Sequence, residues 1–95
     1  MPEIVISEFM DEAAIREAFA GRDVLYDPQL VDDAARLLDA VRDARALIVR
    51  NRTQVRGSLL DAAVKLEVVG RLGVGLDNID VAACTARGVA VYPAS

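Results

Sequence analysis

The fold and the candidate site are both indicated by one stretch, Leu66-Glu-Val-Val-Gly-Arg-Leu-Gly-Val-Gly-Leu-Asp-Asn-Ile-Asp80. A short apolar run leads here into three closely spaced glycines and then into a polar turn that can cap a helix. The pattern predicts a buried strand whose carboxyl end opens into bare backbone N–H groups. Such a loop lets a small anion approach the backbone closely.

Five short apolar runs recur along the chain at near-regular intervals. Each is rich in β-branched residues and lacks strict alternation, which is typical of strands that are covered on both faces of a parallel sheet. The five predicted strands are Ile4–Ile6, Val24–Tyr26, Ala46–Val49, Leu66–Val69 and Val89–Tyr92.

Helical patterns separate these runs. The first helix is predicted from an Asp11 cap to Gly21, the second around residues 34–41, the third over 58–64, and the fourth from an Asp80 cap to Gly88. Parallel strands require right-handed crossovers. The sequence therefore predicts an α/β fold, a flavodoxin-like five-stranded parallel sheet in the order 2-1-3-4-5 with helices on both faces.

Composition narrows the class of protein. The 95 residues are 54% hydrophobic and 27% charged, which favours one small globular domain. A net charge of −4 without long charged blocks argues against nucleic acid as the main partner. The one cysteine, Cys84, allows no internal disulfide and is expected to be a buried thiol. Without a signal peptide or a long apolar run, we expect a cytoplasmic protein with no membrane partner.

The predicted ligand site lies where the strand order reverses, beyond the carboxyl ends of the strands. Ser7 and Glu8 leave the first strand there, and Arg50, Asn51 and Arg52 leave the third. The fourth strand delivers Leu72, Gly73, Val74 and Gly75 to the same edge. Guanidinium forks beside bare amides predict a site for an anionic small molecule. Two alternatives stay open: the arginines are solvated or pair with nearby carboxylates, and the glycines form only a tight turn.

Other kinds of site are not supported by the sequence. A G-x-G-x-x-G fingerprint starting at Gly73 would need glycine at Asn78, so no standard nucleotide-binding unit is present. Asp77, Asn78 and Asp80 are expected to cap and turn the chain, and no metal site is predicted. A phosphoacceptor domain would need an aspartate where Arg50 stands, and a flavin site a hydroxyl-rich loop after the first strand. The chain has no histidine for proton transfer.

Three segments, Ala46–Val55, Leu66–Asp80 and Ala86–Ala94, resemble the amino-terminal part of the D-isomer-specific 2-hydroxyacid dehydrogenases, particularly the phosphoglycerate dehydrogenase-like branch. The resemblance implies that residues 1–95 are a truncated substrate-binding domain without the family's nucleotide-binding domain. It implies a substrate carboxylate against Arg50 and residues 72–75, a distal anionic group at Arg52, and contact between Val74 and the nicotinamide end of the cofactor.

The same resemblance implies an enzyme that oxidises a 2-hydroxy acid, such as 3-phosphoglycerate or 3-sulfolactate, with NAD or NADP. The family's catalytic arginine, glutamate and histidine belong to the second domain. We therefore expect no catalytic residue in this chain, no activity of the 95 residues alone and no tight cofactor binding by them. The alternative is a stand-alone or engineered flavodoxin-like module with a structural or interaction role. The surface left by truncation suggests a homodimer or a strand-swapped dimer.

Overall fold

The computed structural model describes residues 2–73 and 75–93. In chain order the elements are β1 Ile4–Ile6, α1 Glu12–Ala18, β2 Val24–Tyr26, a 3₁₀ turn Leu30–Asp32, α2 Ala34–Val41, β3 Ala46–Val49, α3 Ser58–Ala62, β4 Val68–Arg71, α4 Val81–Ala86 and β5 Ala90–Pro93. All strand pairs are parallel and the sheet order is β2-β1-β3-β4-β5. The predicted fold class and strand order are confirmed.

The core lies on one face of the sheet. Val5, Leu47, Val69 and Val91 are register partners across β1, β3, β4 and β5, so their side chains share a face. This row packs with apolar residues from the connections β2–β3, β3–β4 and β4–β5 into one cluster. The helices of these connections, α2, α3 and α4, contribute Leu37, Val41, Leu59, Leu60 and Cys84. Right-handed crossovers that all step from β2 toward β5 place these helices on the same side.

The opposite face is covered more thinly. Its row of register partners is Ile6, Ile48, Gly70 and Tyr92. The β1–β2 crossover steps the other way, so α1 lies on this face, but no residue of α1 is buried. Ile6 is fully buried, Ile48 is half-buried and Tyr92 is 65% exposed. Helices thus occupy both faces, yet from β3 to β5 the described residues leave this face open.

The helix starts agree with the sequence better than the helix ends. The carboxylates of Asp11 and Asp80 accept hydrogen bonds from the amides of Ala13 and Ala83, which confirms both predicted caps. The first and third helices end earlier than predicted, at Ala18 and Ala62. Within the described ranges no helix is long and apolar enough to cross a bilayer.

Two predicted strands were placed too early. The amides of Glu67 and Val68 both bind the carbonyl of Arg45, so β4 starts at Val68 and runs through Gly70 to Arg71, where Leu66–Val69 was expected. The amide of Val89 binds the carbonyl of Cys84 and so closes the end of α4. For that reason the last strand is Ala90–Pro93 and not Val89–Tyr92. Cys84 is a buried free thiol, as predicted.

The unequal faces predict unequal effects of two neighbouring substitutions on β3. Leu47→Ala opens a cavity in the closed core and should lower the free energy of unfolding by about 2–5 kcal/mol. Ile48→Ala removes a half-buried side chain from the open face and should cost clearly less. Urea denaturation of the two variants measures the difference. Equal losses would contradict the assignment of the core to one face.

Candidate functional site

The carboxyl ends of β3 and β4 lie side by side at one edge of the sheet. Val49 and Arg71 are register partners, and the amide of Leu72 donates a hydrogen bond to the carbonyl of Val49 at 2.8 Å. The residues that follow the two strands therefore leave from the same edge. The prediction that the arginine turn (residues 50–53) and the glycine segment (residues 72–75) leave the sheet at one edge, called the rim below, is confirmed. That the two segments bind one ligand stays a prediction.

The turn after β3 is built around the carboxylate of Glu8, which is only 4% exposed. Glu8 Oε2 accepts hydrogen bonds from the amides of Arg50 at 2.8 Å and Thr53 at 2.9 Å, and Oε1 accepts one from the amide of Arg52 at 3.1 Å. The hydroxyls of Ser7 and Thr53 are hydrogen-bonded beside it at 2.8 Å. These three backbone donors already serve an internal anion, so a ligand would meet the side chains of this turn.

These contacts keep Glu8 ionised. Burial by itself would raise its pKa, but the hydrogen bonds from Thr53, Arg50 and Arg52 outweigh that effect and hold the pKa below its ordinary value. A carboxylate that stays charged at neutral pH therefore anchors the turn that carries the arginines.

Asn78 connects this turn to the segment after β4. The side chain is buried, and its Nδ2 donates to the carbonyl oxygens of Arg50 and Thr53, each at 2.8 Å. A parallel bridge between Val55 and Ile79 continues the connection. The prediction that residues 77–80 form a turn and a cap is confirmed, and the structure adds that Asn78 joins the two halves of the rim.

The two predicted arginine ligands differ in their partners. Arg50 is exposed, and its Nη1 donates a long 3.5 Å hydrogen bond to the carbonyl of Phe9. Arg52 Nη2 is paired with Asp32 Oδ1, one of the alternatives that the sequence left open. Both arginines line a cleft of about 250 Å³, to which Asn51 also contributes. Their roles as ligands stay predictions.

The glycine segment is shaped in part by the preceding arginine. Gly73 has φ +126°, which favours glycine, and a Cβ built there would lie 2.0 Å from Arg71 Nη1. Leu72, Gly73 and Gly75 are half-buried. Val74 lies outside the described residues, so its contact with a cofactor stays a prediction.

Sequence reasoning placed Glu8 at this edge of the sheet without giving it a role, and it assigned no part in the site to Asn78 or Arg71. An acidic residue directly after a buried strand at the predicted rim was a visible signal for Glu8. Asn78 looked like an ordinary turn residue. Arg71 was hidden because the fourth strand was ended too early, which left its last residue inside the loop.

We expect Glu8→Gln to destabilise the protein at neutral pH and to flatten its response to acid. The variant places an NH₂ group against backbone donors, which should cost about 1–3 kcal/mol. Because the folded pKa of Glu8 is lowered, its contribution to stability is present above the ordinary carboxylate pKa and is lost as the pH falls through the folded value. Urea unfolding between neutral and acidic pH measures this.

Glu17→Gln, at an exposed position of α1, is the matched control for the loss of one carboxylate. Identical pH profiles for the wild type and Glu8→Gln would show that Glu8 does not anchor the turn.

Comparison with known proteins shows the family to which this chain belongs. The family model described as "D-isomer specific 2-hydroxyacid dehydrogenase, catalytic domain" matches residues 4–95. An (S)-sulfolactate dehydrogenase of Chromohalobacter salexigens is 55% identical over the whole chain, which spans 31% of that protein. A D-3-phosphoglycerate dehydrogenase of Mycobacterium leprae is 56% identical over 62 residues, or 65% of this chain and 12% of that protein.

Solved structures give the same result. A Pyrococcus horikoshii protein superposes over 100% of this chain and 28% of its own with a TM-score of 0.88 and 26% identity. The NAD⁺-bound 3-phosphoglycerate dehydrogenase of Entamoeba histolytica covers 98% of this chain and 33% of its own, with a TM-score of 0.79 and 25% identity. The match thus extends over nearly every residue, in sequence and in fold, and the chain belongs to the D-isomer-specific 2-hydroxyacid dehydrogenases as part of their catalytic domain.

Proposed function

We propose that residues 1–95 form the substrate-binding part of an NAD(P)-dependent dehydrogenase that converts a 2-hydroxy acid into a 2-oxo acid. The observation that carries this proposal is the shared edge of β3 and β4. There Arg50, which has no ion-pair partner among residues 2–73 and 75–93, leaves the sheet beside the glycine segment. A guanidinium and bare amides together suit a carboxylate.

The proposed substrate carries a second anionic group. The two relatives above are named for sulfolactate and phosphoglycerate, both of which combine a carboxylate with a sulfonate or a phosphate. Arg52 is the proposed ligand of that distal group. Its pairing with Asp32 does not prevent this, because both side chains are more than half exposed and exposed ion pairs contribute only about 0–1 kcal/mol.

Within this proposal the carboxylate is held by Arg50 and by the amides of Leu72, Gly73, Val74 and Gly75, with Asn51 as a further donor. Val74 would also contact the nicotinamide end of NAD or NADP, the hydride acceptor. Residues 1–95 lack a dinucleotide fingerprint, so most contacts to the cofactor would come from other parts of the enzyme. The proton of the substrate hydroxyl would pass to a base outside these residues, since they contain no histidine.

The alternative, a module that works alone without catalysis, is less well supported. Its sheet would expose the face from β3 to β5, where Tyr92 is 65% exposed. The same face is where a homodimer or strand-exchanged dimer of residues 1–95 would form.

Replacing Arg50 tests the carboxylate site. In the full-length enzyme Arg50→Ala removes a charge-assisted hydrogen bond, and kcat/KM for the hydroxy acid should fall roughly 10- to 200-fold. Arg42→Ala, which removes an exposed arginine paired with Asp39, is the matched control and should leave the value unchanged. An unchanged kcat/KM for Arg50→Ala would remove Arg50 from the site.

Residues 1–95 by themselves should show no NAD-dependent oxidation of 3-phosphoglycerate or 3-sulfolactate, because they carry neither a histidine base nor a dinucleotide fingerprint. The measurement is NADH formation by the purified chain, with full-length enzyme as the positive control. Turnover by the isolated chain would refute the proposal that the base and most cofactor contacts come from outside these residues.

A further inference from the structure

We propose that Arg71 is an additional substrate ligand, whose guanidinium binds the carboxylate of the 2-hydroxy acid together with the backbone amides of the glycine segment. The inference rests on the proposed function and extends it, because it assigns a third arginine to the anion site.

The position of Arg71 is the first argument. It is the last residue of β4 and the register partner of Val49, which directly precedes Arg50. The two arginines therefore leave neighbouring strands at the same edge of the sheet.

The second argument is an unbalanced charge. Arg71 is half-buried, and within the described residues its buried Nε has no hydrogen-bond partner. Its Nη1 donates to the neutral carbonyl of Leu72 at 3.0 Å. No ion pair to Arg71 occurs among residues 2–73 and 75–93. By contrast, the more exposed Arg22, Arg36, Arg45 and Arg52 each pair with a carboxylate.

A guanidinium stays protonated at any accessible pH, and burying it without a counter-ion is costly. Four exposed arginines pair with carboxylates of the chain, whereas this half-buried arginine has no ion pair in the described part. A carboxylate that enters with the substrate would supply the missing counter-ion.

The third argument is the position of the guanidinium directly against the two glycines. A Cβ at Gly73 would lie 2.0 Å from Arg71 Nη1, and one at Gly75 would lie 3.5 Å from Nη2. The two glycines thus frame the guanidinium, so the charge and the backbone of the segment meet in one place. An anion that approaches this backbone also approaches Arg71.

The assignment separates the roles of two arginines. The carboxylate is common to all 2-hydroxy acids, so Arg71 should contribute to binding whatever the distal group is. Arg52, the proposed ligand of the distal group, should matter only for doubly anionic substrates.

Steady-state kinetics of the full-length enzyme tests this with a matched pair of substrates. The pair is 3-sulfolactate and lactate, or 3-phosphoglycerate and glycerate, whichever the wild type oxidises. Arg71→Gln should raise KM roughly 10- to 100-fold for both members of the pair, the range expected for a lost charge-assisted hydrogen bond. Arg71→Lys keeps the charge but loses the fork, and its KM should be intermediate.

Gly73→Ala provides an independent test of the geometry. Its methyl group would displace the guanidinium from its present place, so KM should rise for both substrates as in Arg71→Gln. Gly73→Ala should raise KM less in the Arg71→Gln background than in the wild type, because the part of its effect that comes from the displaced guanidinium is then absent. Arg42→Gln is the control for the loss of an arginine far from the rim and should match the wild type.

Each other outcome counts against the proposal. An unchanged KM in Arg71→Gln, or a rise confined to the doubly anionic substrate, would overturn the carboxylate assignment. If Arg71→Gln fails to fold, a wild-type KM in Arg71→Lys would overturn it instead. A wild-type enzyme that oxidises none of these acids would reject the proposed function itself, a result obtained before any variant is made.

Discussion

The candidate site depends on the parallel pairing of β3 with β4. The hydrogen bond from the Leu72 amide to the Val49 carbonyl brings the ends of the two strands level. Everything at the rim follows from that, because a shift along the sheet would separate the arginine turn from the glycine segment. The side chain of Asn78 and the bridge between Val55 and Ile79 extend the same pairing beyond the strands, so the two connections behave as one unit.

The two halves of the rim use their backbone differently. After β3, the amides of Arg50, Arg52 and Thr53 are directed at the buried carboxylate of Glu8. This carboxylate is the hydrogen-bond acceptor for these three amides, and it stays ionised because the donors stabilise its charge. After β4 the glycine segment has no such internal anion in the described residues. The β3 side can therefore offer a ligand side chains, whereas the β4 side can offer backbone and the guanidinium of Arg71.

The core packing holds β3 and β4 in place near the carboxyl ends from which the two loops of the site leave. Val49 and Val69, which precede the two connections, are fully buried in the core that α2, α3 and α4 cover. Strands held in this way keep the start of each loop in a defined position. The face opposite is much less closed from β3 to β5, and it carries none of the residues proposed to bind the substrate.

The sequence by itself determined the sheet, its strand order and the edge at which Arg50, Asn51, Arg52 and residues 72–75 emerge. It could do so because hydrophobic period and glycine position are local properties of the chain, and because crossovers between parallel strands are right-handed as a general rule. The comparisons confirm the family that the motifs around Ala46–Val55 and Leu66–Asp80 suggested.

Only the tertiary structure decided which polar groups contact each other. Glu8 and Thr53 are 45 residues apart in the chain, Asn78 and Arg50 are 28 apart, and Arg52 finds Asp32 across 20. No local pattern encodes such contacts, since they depend on the register of neighbouring strands. The register also extends β4 to Arg71. Arg71, which the sequence suggested to be a loop residue, is therefore the last residue of the strand and lies beside the glycine segment.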